Sequence, residues 1–272
     1  MILRPLLKKM FSLRERPDTE TVKPFLDHLE DLRTMLFKIV GVLGAAMMLC
    51  FAFRFRLMHL VQLPLISAIP EFATKGLTSL HPGDSMTVSL QLSFYAGIVL
   101  SFPLLLYFVA DFVLPALTEK EKGLVLPGVG VSFALFLAGV LFCFKVVLPM
   151  TLNWLWNDQK NMGMQSDWTV AFYIGFATQF VLIFGLTFEL PVVVIALVKL
   201  GLLNSGLLRR TRAYAVAIIL IFAAFIAPSA DPITMGVFAG PMYLLYELCI
   251  WIAVWMERAA KRRAAAEDQR LR

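Results

Sequence analysis

Apolar residues in this chain fall into long unbroken runs rather than into the short periods of a soluble fold. Four runs carry no charge at all: 85–110, 123–144, 168–188 and 213–230. A fifth, 34–53, is interrupted only by Lys38, which can snorkel from near a helix end. A sixth, 232–256, is interrupted only by Glu247. About 20 apolar residues cross a bilayer, and in hydrocarbon the backbone must satisfy its own hydrogen bonds. The pattern predicts an all-α membrane protein with six transmembrane helices in one domain, 24–257. A basic tail, 1–23, and a charged tail, 258–272, flank it.

Between the runs the pattern changes character. Phe25, Leu29, Leu32 and Leu36 form an i, i+4, i+7, i+11 stripe, with Asp27, His28 and Asp31 on the polar side. Pro24 suits a first helical turn, and Asp27 suits the positive end of its dipole. The segment reads as an interfacial collar leading into span one. The stretch 54–84, which contains Pro64, is too polar and too broken to span and is expected to cap the outer face. The stretch 149–167 is expected to be an outer loop, with Trp154, Trp156 and Trp168 as interface anchors. The turn Pro228-Ser229-Ala230-Asp231-Pro232 is tight, with Asp231 placed to act as a turn or N-cap carboxylate. Span five, 213–227, would be only about 22 Å long, against a hydrocarbon core of about 30 Å. Helices five and six are therefore expected to be a short hairpin that thins the bilayer or buries itself against other spans.

Composition agrees with the pattern. The 272 residues are 59% hydrophobic and 16% charged, whereas a soluble domain carries about a quarter charged residues. No cleavable signal is expected, because residues 1–23 lack an apolar stretch. The tails and the loops 110–123 and 199–212 hold most of the Lys and Arg, and the opposite loops hold only Arg54, Arg56, Lys75 and Lys160. The positive-inside rule puts both tails in the cytoplasm. The net charge of +6 is explained by basic residues beside anionic lipid, with no nucleic-acid partner.

Chemistry-bearing residues are few. The three histidines sit in none of the hydrolase, metalloprotease or phosphate-binding motifs, so neither an enzyme nor a cofactor is expected. Cys50, Cys143 and Cys249 lie far apart in separate spans and read as small packing residues. From Trp168 to Val198 the chain runs 31 residues with Glu189 as its only charge. A carboxylate at membrane depth is costly and ordinarily marks a pathway. Pro191 follows it, so a bent helix presenting the carboxylate to a cavity is expected. A packing-only role, with a hydrogen bond to a neighbouring Thr or backbone group, is the competing reading. Glu247 lies nearer a helix end, where snorkelling is easier. Asp31 and Glu121 could each receive a guanidinium, since Arg–carboxylate pairs are planar and bidentate. By physics alone, however, loop acids beside Lys120 and Lys122 are ordinarily solvated, and exposed pairs contribute about 0–1 kcal/mol.

Taken in order, the segments resemble TatC, the polytopic core of the twin-arginine protein translocase. The resemblance covers roughly residues 24–258. The family's His-Leu-x-Glu-Leu-Arg signature stands here as His28-Leu29-Glu30-Asp31-Leu32-Arg33, with aspartate for glutamate. The loop signature is Phe112-Val113-Leu114-Pro115-Ala116-Leu117, followed by Glu121. The span-four motif is Phe184-Gly185-Leu186-Thr187-Phe188-Glu189-Leu190-Pro191, and the final hairpin matches at Pro228–Pro232 and 241–247. Two polar positions depart from the family, with Phe108 and Met235 standing for glutamines.

The resemblance implies a concave, glove-like bundle in the cytoplasmic (inner) membrane, with Glu189 facing its interior. Asp31 and Glu121 would bind the paired arginines of signal peptides on folded cargo, with His28, Arg33 and Lys122 beside them. Pro64, Phe112 and Pro115 would shape the cap and loop. TatA- and TatB-type single-span subunits would pack along the spans, self-association would accompany them, and the proton-motive force would drive export. The alternative is a proton- or ion-coupled small-solute transporter with Glu189 as its coupling carboxylate. The absence of a clear internal repeat weighs against it.

Overall fold

The stripe that begins at Phe25 opens one continuous helix, α1 (Phe25–Ala52), so the collar and the first span are a single element. The computed structural model describes residues 25–113, 119–164, 167–199, 201–227 and 231–271. Helix α1 hands over through Phe53 to α2 (Arg54–Ala68) and the single turn α3 (Phe72–Lys75). Helix α4 (Asp84–Val113) returns across the molecule. Its start is fixed by the Asp84 carboxylate, which accepts from the backbone N–H groups of Leu80 at 2.9 Å and His81 at 3.0 Å and from Ser79 Oγ at 3.0 Å.

The third span is longer than the sequence pattern suggests. Helix α5 (Glu119–Phe142) runs through a π turn (Cys143–Val147) directly into α6 (Leu148–Asn161). The expected outer loop at 149–167 is thus largely helix. Pro149 cannot donate to the carbonyl of Lys145, and the chain makes the adjustment in the π turn just before it instead of ending the helix. Helix α6 is too polar to have been recognised as an extension of a span, yet it has a partner, because α2 packs against it.

Helix α7 (Val170–Thr187) and helix α8 (Leu190–Lys199) make the fourth span, broken at Phe188-Glu189. The short α9 (Ser205–Arg210) precedes α10 (Arg212–Ile226), which is 15 residues long, as the sequence predicts. Helix α11 (Pro232–Leu271) has 40 residues, or about 60 Å. Residues 258–271, expected as a tail outside the membrane domain, therefore continue the last helix. Their Ala, Arg, Lys and Glu are strong helix formers. Five stretches are long and apolar enough to cross a membrane, and α10 is a shorter apolar helix beside them.

The helices form an open row. Helix α1 packs on α4, α4 on α5 and α7, α5 on α7, α8 on α11, and α10 on α11. Among the described residues no substantial contact joins α1 to α10 or α11, so the row does not close into a ring. At its centre Phe136, Phe180, Phe184 and Phe238 are fully buried. Phe180 lies 4.1 Å from Phe238 and Phe102 stacks on Phe136 at 3.6 Å between ring centroids. Within lipid such packing, rather than exclusion of water, holds helices together. Two glycines allow the closest approach. A Cβ on Gly185 would lie 2.6 Å from Phe136, and one on Gly139 2.8 Å from the Phe184 carbonyl oxygen.

At one end of the row α2, α3 and α6 form a cap. Phe72 sits between Trp156 and Trp168 at 5.4 and 5.3 Å, and Trp168 Nε1 donates to Gln159 Oε1 at 3.0 Å. Tyr173 Oη donates to the Val61 carbonyl at 2.6 Å, close to the buried Pro64 that interrupts hydrogen bonding in α2. A parallel bridge between Thr78 and Thr169 ties the cap to the start of α7.

Candidate functional site

The break that presents Glu189 follows from Pro191. Proline has no N–H for the carbonyl of Thr187, and the residue before it is biased away from helical dihedrals. Helix α7 therefore stops at Thr187 and α8 starts afresh at Leu190. The Glu189 carbonyl caps the new helix, accepting from Val192 N–H at 3.0 Å and Val193 N–H at 3.1 Å. Its carboxylate turns toward α5, where Ser132 Oγ donates to Oε2. Ser132 is buried, and Phe188 beside it packs on Phe142 at 5.8 Å. Glu189 Oε1 is also buried and has no hydrogen-bond partner among the described residues. The site thus holds one satisfied and one unsatisfied carboxylate oxygen in an apolar wall, a geometry suited to receiving a proton or a polar donor. The partner is Ser132 rather than the neighbouring Thr or backbone group that the packing reading named, and the second oxygen is left as a spare acceptor.

Sequence reasoning missed Ser132. It is the only hydroxyl residue in the apolar run 123–144, and that was the available signal.

Helices α1 and α4 run antiparallel, from the cap to the opposite face of the row. Lys38 Nζ lies 6.0 Å from the Phe108 ring, and a Cβ on Gly97 would lie 3.1 Å from the Met47 nitrogen. This register sets Asp31 level with the end of α4. Asp31 is half-buried, and Phe112, in the last turn of α4, is half-buried as well. Arg33 is exposed, its guanidinium 5.5 Å from the Phe37 ring. Glu121 and Lys122 belong to the first turn of α5 rather than to a loop, where an acid favours the helix dipole. Their side chains and that of His28 lie outside the described residues, as do Pro115 and Pro228.

The last hairpin is held by polar contacts. Arg212 Nη2 donates to Glu247 Oε2 at 2.8 Å, and Tyr243 Oη donates to Glu247 Oε1 at 2.9 Å, so Glu247 latches α10 to α11. Tyr246 Oη donates to the Leu208 carbonyl at 2.8 Å. Glu257, which the sequence did not single out, accepts from Ser205 N–H at 2.6 Å and Ser205 Oγ at 2.5 Å, fastening α9 to α11. Asp231 accepts from the N–H groups of Ile233 at 3.1 Å and Thr234 at 2.9 Å, the N-cap geometry expected of it. Cys50, Cys143 and Cys249 are buried free thiols within the packing.

The family model described as Sec-independent protein translocase protein (TatC) matches residues 27–241. A protein named Sec-independent protein translocase protein TatC from Akkermansia muciniphila is 44% identical over 198 residues, which is 73% of this chain and 57% of that protein. The protein of the same name from Campylobacter jejuni is 33% identical over 240 residues, covering 88% of this chain and 97% of its own. Among solved structures, the crystal structure of the twin arginine translocase receptor TatC superposes with a TM-score of 0.76 at 29% identity, covering 84% of this chain and 98% of that one. With its open row of apolar helices and these matches, the chain is a multi-pass membrane protein that belongs to the TatC family of Sec-independent protein translocase proteins.

Proposed function

We propose that this chain is the signal-peptide receptor and core scaffold of a twin-arginine translocase, exporting folded proteins across the cytoplasmic membrane with the proton-motive force. The observation that carries this reading is the fold match along nearly the whole length of a solved twin arginine translocase receptor. The same match favours it over a coupled solute transporter. Both termini lie in the cytoplasm, where Lys and Arg concentrate in the sequence.

Asp31 and Glu121 receive the two arginines of the signal peptide, with His28, Arg33 and Lys122 completing the mouth. Two separated carboxylates select planar guanidinium forks over lysine ammonium groups. Glu189 acts later, inside the wall, where its spare acceptor meets a donor from the inserted peptide or from a single-span TatA- or TatB-type partner. Glu247 and Asp231 shape the hairpin on which such partners rest.

Site-specific crosslinking from the Glu121 turn to a twin-arginine peptide tests the docking assignment, with a twin-lysine peptide as control. The wild-type chain crosslinks the arginine peptide and not the lysine one, and D31A/E121A crosslinks neither. Full-strength crosslinking of the double variant would overturn the assignment.

A further inference from the structure

Helix α11 carries a feature the receptor reading does not use. Trp251, Trp255, Arg258 and Arg262 recur at i, i+4, i+7 and i+11, so they share one stripe. Both tryptophans face outward, 75% and 71% exposed, and both arginines are exposed. Neither arginine makes a hydrogen bond or ion pair among the described residues. The apolar stretch of α11 ends at Ala259. At 1.5 Å per residue, Arg262 stands about 5 Å beyond it, within a headgroup layer about 5–7 Å deep. The stripe therefore passes from hydrocarbon into headgroups, aromatic rings first and guanidinium groups next.

Helix α9 brings further cations to the same level. Glu257 holds Ser205 at the start of α9, and the charges of Lys261 and Arg209 both act on that carboxylate. Arg209 and Arg210 end α9 and are exposed. One carboxylate, already occupied by Ser205, thus meets the charges of Lys261 and Arg209, while Arg210, Arg258 and Arg262 add three exposed cations on the same two helices. The next acids, Glu267 and Asp268, come more than a helical turn further along.

We propose that this corner between α9 and α11 is a retaining site for an anionic phospholipid. Arg258 and Arg262 grip the phosphate, Lys261 and Arg209 close it from the α9 side, and the acyl chains lie along Trp255 and Trp251. Guanidinium groups bind phosphate oxygens bidentately, and the two rings beneath give the site an apolar floor that favours a lipid over free phosphate. The lipid braces the α9 connection beside the bonds to Glu257 and Tyr246 and the packing of Leu208 on Ile250 and Ala253.

The test uses the full chain, reconstituted in vesicles of equal phosphatidylglycerol and phosphatidylcholine, extracted gently and weighed with its retained lipid by native mass spectrometry. Wild type retains phosphatidylglycerol in excess. R209Q/R258Q/K261Q/R262Q loses that preference by about tenfold, and the control R54Q/R56Q, at the cap end, keeps it. Equal retention of the two lipids by wild type, an unchanged preference in the quadruple variant, or an equal loss in the control would each overturn the proposal. Equal retention would leave the cations to an acidic protein partner. A second measurement needs no charge variant. The part of the tryptophan fluorescence that W255F removes is quenched more strongly by bromine-chain phosphatidylglycerol than by bromine-chain phosphatidylcholine, and equal quenching overturns the site.

Discussion

The two ends of the fold are held together by different physics. In the cap, Phe72, Trp156 and Trp168 enclose one another, Leu65, Ile69, Leu148 and Leu152 are buried beneath them, and Tyr173 reaches across to α2. In the last hairpin almost nothing of α10 is buried except Ala223, and Phe225 is 85% exposed. Helix α10 stays in place through Arg212 with Glu247, through contacts with α11, and through the α9 turn that Tyr246 and Glu257 secure. A packed cap resists motion because every displacement opens a void. A latched hairpin can rearrange by exchanging a few polar partners, and it leaves its apolar face to lipid or to another membrane helix. The rigid end suits a frame, and the exchangeable end suits the partner contacts proposed for it.

The largest expected effect is in the cap. Phe72→Ala removes a buried ring from between two tryptophans and lowers stability by about 3–5 kcal/mol. Phe225→Ala, at the same residue type but exposed on α10, changes it by less than about 0.5 kcal/mol. Thermal unfolding of the purified chain in detergent measures both. Similar losses for the two variants would end the distinction between packed and latched ends.

The Glu189 site lies between the two regimes, a polar contact set in a packed wall. Ser132→Ala leaves both carboxylate oxygens without a protein donor, at a cost of about 1–3 kcal/mol. On a Glu189→Ala background the same change costs much less, because no buried carboxylate remains to be satisfied. Strict additivity of the two substitutions would show that the Ser132 contact carries no energy. Glu189→Ala also lowers export while leaving peptide docking intact. Unchanged export would reduce Glu189 to a packing residue.

Much of this was legible in the sequence because lipid imposes simple rules. Charge-free runs gave the spans, and the short run 213–230 with its prolines gave the short α10. Pro191 gave the break beside Glu189, and the stripe at Phe25, Leu29, Leu32 and Leu36 gave the helical collar that continues into the first span. What escaped were features that depend on a partner distant in sequence. Helix α6 looked like a loop because Asn153, Asn157, Asp158 and Lys160 make it polar overall, and the stripe Leu148, Leu152 and Trp156 finds its partner only when α2 packs against it. Residues 258–271 looked like a tail because charge suggests solvent, although Ala, Arg and Glu also prolong a helix. Ser132 was a single hydroxyl among aliphatic residues until α7 brought Glu189 to it. Glu257 was one charge in a charged segment until α9 folded back on it.

The smallest expected effect tests the latch itself. Arg212 and Glu247 make a good hydrogen bond at 2.8 Å, yet their side chains are 46% and 21% exposed. A double-mutant cycle of Arg212→Ala and Glu247→Ala should give a coupling of only about 0.2–1 kcal/mol, since exposed pairs gain little after solvent screening and side-chain ordering. Tyr243 limits the loss further, because its hydroxyl still donates to Glu247 when Arg212 is gone. A small coupling is what an exchangeable contact requires, because a partner helix that offers Glu247 an equivalent donor can then displace Arg212 at little cost. A coupling of several kcal/mol would mean that the hairpin is locked rather than latched, and the contrast with the cap would fail.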